Sequence, residues 1–154
     1  MTGYKVYQGN QVQGSGPLGL VLLTYEALYK SLGRTEQAII TGDLAAEGQH
    51  TSRALEAIVE LTTSLNMEEG GEVAKNLGSI YQYMFKRLTE NMCSSSADHV
   101  QEVMQLVQTL REGWQQLARD HQKELAAHAN PSVSQERVAV NHDVAPKMAA
   151  SYAG

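Results

Sequence analysis

Gly70-Gly71-Glu72-Val73-Ala74-Lys75-Asn76-Leu77-Gly78-Ser79-Ile80-Tyr81-Gln82-Tyr83-Met84, continued by Leu88 and Asn91, is the stretch that decides the fold. Its apolar residues Val73, Leu77, Ile80, Tyr81, Met84 and Leu88 recur at threes and fours, which lays one continuous stripe along a helix. A Gly-Gly pair opens the segment, and nothing in the stripe is reactive. Such a helix offers surface rather than chemistry. Tyr81 and Tyr83 diverge around it, so one of the two must leave the core.

Three further stripes flank it. Pro17 suits a first helical turn, where its missing N–H costs nothing. From there Leu18, Val21, Leu22, Tyr25, Leu28, Tyr29 and Leu32 trace a broad apolar face that runs to Thr41-Gly42. Asp43 is a suitable N-cap for a second helix. Its seam reads Leu44, Gly48, Thr51, Leu55, Ile58, Thr62 and Leu65, an alternation of four and three. Asn66 to Gly71 breaks the pattern before the third helix. Ser94-Ser95-Ser96 forms a turn, with Ser96 or Asp98 able to cap a fourth helix. That helix carries Val100, Val103, Val107, Leu110, Trp114, Leu117 and a partly buried His121 until Asn130-Pro131 stops it. Short loops make neighbours antiparallel, and no sustained period-two alternation suggests a strand. The expectation is an all-α fold: an antiparallel up-and-down four-helix bundle over residues 17–130. A short N-terminal arm (1–16) precedes it, and a disordered C-terminal tail (131–154) follows. The alternative for the tail is a short docking segment that covers exposed apolar surface.

Composition narrows the function. At 154 residues the chain is about one domain. A formal net charge of −5 argues against nucleic acid or an anionic membrane as main partner, since both need a basic face. Cys93 is the only cysteine, which excludes an intrachain disulfide and fits a reducing compartment. The N-terminus lacks the pattern of a secretory signal, and no apolar run approaches a membrane span. A cytoplasmic location without membrane insertion is expected.

Catalytic readings fail one by one. A di-iron carboxylate bundle needs two Glu-x-x-His helices and two further inward Glu residues. Glu47-Gly48-Gln49-His50 supplies the motif once, no second copy exists, and His50 reads as a solvated surface residue. Cys93 sits at a helix C-terminus, which raises rather than lowers a thiol pKa. Gly14-Ser15-Gly16 has neither the preceding strand nor the following Lys of a phosphate loop. Neither enzymatic activity, nor a metal, nor a cofactor is expected. What stands out instead is surplus surface. The first helix is apolar over more than the ~100° arc that one core requires, and tyrosine outnumbers the other aromatics seven to two. Surplus apolar surface with polar-tipped rings suits a partner site that captures an amphipathic segment.

The residues also carry a family likeness. Ala74-x-Asn76-Leu77-x-x-Ile80-Tyr81-x-Tyr83-Met84-x-x-x-Leu88-x-x-Asn91, after Gly70-Gly71, resembles the most recognisable stretch of the flagellar export chaperones that hold flagellin. Leu110-Arg111-x-Gly113-Trp114 is similar to their fourth-helix Leu-Arg-x-x-Trp. Tyr7-Gln8, followed by Val12, Ser15, Pro17, Leu20 and Tyr25-Glu26, is similar to their arm and first helix. Gly16 between Ser15 and Pro17, Thr24 for a usual Leu and Glu26 for a usual Asp are departures. The likeness spans about residues 4 to 120. It implies a helical holdase that binds the disordered C-terminal segment of flagellin, blocks premature polymerisation and delivers it to a component of the flagellar type III export gate. The client-binding groove and arm are expected at Tyr7, Gln8, Val12, Leu18, Leu22, Tyr25, Tyr29 and Tyr81, with the arm covering the groove in the free protein. The rival reading is a self-associating structural or signalling bundle without a flagellin client, and a weak homodimer fits either.

Overall fold

The computed structural model describes residues 16–129 and 151–152. Four helices follow one another: α1 Gly16–Thr41, α2 Leu44–Thr63, α3 Met67–Ser94 and α4 Ala97–Ala129. Short turns join them, so successive helices run antiparallel. α1 packs on α2 and α4, and α3 closes the square against the same two helices. The described residues contain no strand.

Local chemistry sets the boundaries. α1 ends in a Schellman turn: the Asp43 N–H donates to the Ala38 carbonyl at 2.9 Å and the Gly42 N–H to the Ile39 carbonyl at 3.2 Å. Asp43 then caps α2, its carboxylate accepting from the Ala46 N–H at 3.0 Å. Asn66 caps α3 in the same way through the Glu69 N–H at 3.1 Å. Glu68 and Glu69 in that first turn complement the helix dipole. The pattern break expected over residues 66–71 is therefore narrower than the sequence suggests. α3 starts at Met67 and continues across a kink at Gly71, whose φ of 51° and ψ of −130° interrupt the helical geometry.

The core runs through the square from end to end. Tyr25, Leu28 and Leu32 of α1 meet Ala54, Ile58 and Leu61 of α2, Tyr81, Met84 and Leu88 of α3, and Val100, Val103, Val107 and Trp114 of α4. The stripe on α3 behaves as its spacing requires: Tyr81 is buried while Tyr83 is exposed, and Val73 and Ile80 flank the core.

Two details differ from the sequence reading. On α2 the buried line is Glu47, Thr51, Ala54, Ala57, Ile58 and Leu61, whereas Leu44 is 71% exposed and Thr62 is exposed. The period is the expected one but the helix is turned. Small Ala54 and Ala57 on the inward line permit close approach to a neighbouring helix, because interaxial distance follows side-chain size at the contact. Glu47 tolerates burial because its carboxylate accepts from the Ser95 hydroxyl at 3.1 Å. His121, expected to be partly buried, is exposed. At 33 residues against 26, α4 is longer than α1 by roughly 10 Å at 1.5 Å per residue, and its last turns outrun the bundle.

Of the tail expected to be disordered, Ser151 and Tyr152 are packed inside the bundle, at 0% and 9% exposure. Residues 1–15, 130–150 and 153–154 lie outside the described residues, and with them Tyr7, Gln8 and Val12 of the expected arm.

Candidate binding site at the aromatic end of the bundle

One end of the bundle gathers the start of α1, the end of α2, the start of α3 and the second half of α4. Tyr25 projects inward from α1 and Tyr81 from α3, and their hydroxyls meet across the diagonal of the square at 2.5 Å. Tyr81 is also 2.6 Å from the hydroxyl of Tyr152. Three hydroxyls thus form a chain, with Tyr81 in the middle donating to one neighbour and accepting from the other. Trp114 completes the cluster. Its ring lies 6.4 Å from Tyr25 and meets Tyr152 edge-on at 5.4 Å and 71°, the offset and T-shaped arrangements that aromatic quadrupoles favour.

Electrostatically this is a place for neutral, polar-tipped rings. Burial pushes the Tyr25 hydroxyl up to about 12, and its bond to Tyr81 only partly offsets that. Burial drives Tyr81 and Tyr152 in the same direction; the neighbouring tyrosines add to it at Tyr81, while at Tyr152 Tyr25 adds to it and the bond to Tyr81 opposes it. None of the three is a base or nucleophile at neutral pH. Elsewhere among the described residues, no group of three or more His, Cys, Asp or Glu side chains is placed to hold a metal. Glu47, of the single Glu-x-x-His motif, is engaged with Ser95 instead.

The expected site residues divide in two. Tyr25 and Tyr81 are brought together, but wholly inside the bundle. Leu18, Leu22 and Tyr29 are half-buried along α1, packed on the edge of the core. Tyr29 lies beneath the Arg111 guanidinium at 4.6 Å, and the same Arg111 reaches Glu26 at 3.3 Å. The Leu-Arg-x-x-Trp run of α4 thereby acquires a physical role: Arg111 clamps the outer face of α1 while Trp114 fills the interior behind it. On the opposite side, Arg87 of α3 pairs with Glu102 of α4 at 2.7 Å, and Tyr83 donates to the same carboxylate. The Tyr83 hydroxyl and then Arg87 hold Glu102 below the usual carboxylate range.

Beside Tyr152 opens a cleft of about 180 Å³, lined by Pro17, Leu20, Val21 and Thr24 of α1, Glu60, Leu61 and Ser64 at the end of α2, and Tyr152 itself. Sequence reasoning missed Ser151, Tyr152 and Gly70 as parts of this end. The available signal was slight: a lone tyrosine in an Ala-, Ser- and Gly-rich terminus.

Comparison with known proteins agrees with the architecture. Residues 1–121 match the family described as flagellar protein FliS. The flagellar secretion chaperone FliS of Salmonella typhimurium is 31% identical over 108 residues, covering 70% of this chain and 80% of that protein. Its namesake in Bacillus subtilis is 28% identical over 121 residues, 79% of this chain and 90% of that protein. The Vibrio cholerae FliS is 24% identical over 123 residues, 80% and 90% of the two chains. The all-helical square, its α3 stripe and the residues matched from the N-terminus through Trp114 agree: this chain belongs to the FliS family of flagellar secretion chaperones.

Proposed function

We propose that this chain is a cytosolic export chaperone for flagellin. It binds the C-terminal segment of flagellin, prevents its premature polymerisation and passes it to a component of the flagellar type III export gate. Family membership carries the reading. The surface along α1 supports it: Leu18, Leu22 and Tyr29 present a half-buried apolar ridge, and a cleft opens beside Pro17, Leu20 and Val21. An amphipathic client helix laid on such a ridge buries one face without requiring charged partners. Tyr25 and Tyr81 act from behind the ridge by fixing the spacing of α1 and α3. The arm residues Tyr7, Gln8 and Val12 belong to the same proposed contact surface. Folding of the client on binding has an ordering cost, so affinity must come from a large buried area. No helix among the described residues is long and apolar enough to cross a membrane.

Calorimetric titration of the full chain with a peptide covering the C-terminal segment of flagellin tests the reading. A saturable one-to-one complex is expected, together with a delay in seeded flagellin polymerisation. Leu22→Glu places a charge on the ridge and should weaken binding by about tenfold or more while the helical circular dichroism is retained. Absence of any complex with flagellin would overturn the proposal.

A further inference from the structure

Ser151 and Tyr152 come from outside the four helices, yet both are buried in the aromatic end. The walls around them discriminate. A Cβ added to Gly70 would stand 2.7 Å from the Ser151 Oγ and 2.8 Å from its Cα, so the bare backbone of α3 is in contact with the segment. A residue lying there must be small. The Asn66 N–H donates to the Ser151 carbonyl at 2.5 Å, which positions the segment by its backbone. At the next position Trp114 offers an aromatic wall and Tyr81 a hydroxyl at 2.6 Å, which together select a ring with a polar tip.

None of these contacts depends on the segment being part of the same chain. We propose that the aromatic end is a peptide-binding slot for a small residue followed by tyrosine, filled in the free protein by Ser151–Tyr152, and that a client segment enters by displacing them. The displacement clause rests on the chaperone reading above. The slot itself does not.

The energetics fit an exchangeable occupant. Two residues, Ser151 and Tyr152, are a short occupant, and so short a contact does not hold a free peptide tightly. Belonging to the same chain changes that, since an intramolecular occupant works at an effective concentration on the order of millimolar. Reach is no obstacle: α4 continues only about 22 Å beyond Trp114 to Ala129, a distance that the number of positions between Ala129 and Ser151 can cover. The tethered segment therefore fills the slot without locking it, and a client with a larger contact area outcompetes it. The cleft beside Tyr152, walled by Pro17, Leu20 and Leu61, gives the incoming chain a first foothold. Ser151 and Tyr152 lie beyond the residues 1–121 that match the family.

Trp114 is the only tryptophan and touches Tyr152, so its emission reports occupancy directly. The full-length chain and its Tyr152→Ala variant are titrated with a peptide spanning residues 146–154 and, separately, with the flagellin C-terminal segment. The variant should emit to the red of the native chain. The peptide should reverse that shift, and a peptide with alanine for the tyrosine should not. The flagellin segment should bind the variant about tenfold tighter than the native chain, the gain expected on removing a tethered competitor. A variant whose emission ignores the peptide overturns the slot, and equal flagellin affinity for both chains overturns the displacement. If flagellin binds neither chain, the chaperone reading fails while the peptide titration still decides the slot. Should Tyr152→Ala lose its helical signal, Tyr152→Phe retains the ring and loses only the bond to Tyr81. The peptide should then enter at lower concentration than in the native chain, and no difference overturns the proposal.

Discussion

Tyr25, Tyr81 and Tyr152 show how a single functional group turns burial into specificity. A phenylalanine cluster would bury as much ring, but only hydroxyls make the pairs that join α1 to α3 and α3 to the terminal segment. The same burial makes the cluster sensitive to alkali. An unfolded tyrosine ionises near 10, whereas the Tyr25 hydroxyl is pushed up to about 12 and its two partners move in the same direction. Below pH 10 both states are neutral and the contribution to stability is complete. Between 10 and 12 the unfolded chain sheds protons that the folded one retains, so stability falls by roughly 3 kcal/mol from Tyr25 alone. Absorbance at 295 nm should reveal early-titrating tyrosines, with the buried ones ionising only as helical dichroism is lost. Titration of all seven near pH 10 with the helices intact would contradict this. Spacing already placed Tyr25 and Tyr29 on one helix face. Their different fates, interior and ridge, were not legible because they depend on which neighbour covers that face.

At the element scale the Gly70-Gly71 pair was legible as a break, but its two halves do different things. Gly71 adopts φ 51°, ψ −130°, a region that L side chains strain to enter, and lets the capped first turn of α3 swing against the rest of the helix. Gly70 is needed for its missing side chain, since Ser151 lies against it. Gly71→Ala should therefore destabilise the fold by about 1–3 kcal/mol, the cost of holding a residue in a sparsely populated backbone region. Urea denaturation checks it, and a midpoint equal to that of the native chain would refute the role. The register of α2 follows the same logic of small residues. The expected seam, Leu44, Gly48, Thr51, Leu55, Ile58, Thr62 and Leu65, shares Thr51 and Ile58 with the observed line, which takes in Glu47, Ala54, Ala57 and Leu61 instead of Leu44 and Thr62. Hydrophobicity favours the first, while close packing through Ala54 and Ala57 favours the second. The second wins because a helix held between two neighbours gains more from approach distance than from one extra leucine at an exposed end.

For the molecule as a whole, the four helices and the terminal segment are held with unequal strength. The bundle buries a core along its full length, whereas Ser151 and Tyr152 pack at one end of it. In a urea titration Trp114 emission should shift at lower denaturant than helical dichroism falls, because the weakest unit opens first. Coincident transitions would mean that the segment is integral to the cooperative core. The same inequality separates what the residues announce from what only folding reveals. Four helices, the cap at Asp43, the antiparallel square and the inward side of α3 follow from local period and local hydrogen bonds, and so does the family likeness, because those patterns repeat within a few residues of chain. Tertiary structure alone decided the diagonal pairing of Tyr25 with Tyr81, the turn of α2 about its axis, and the burial of Tyr152 beside Gly70. Each joins residues tens of positions apart, and such contacts follow from shape and distance in the assembled square, which no local period encodes.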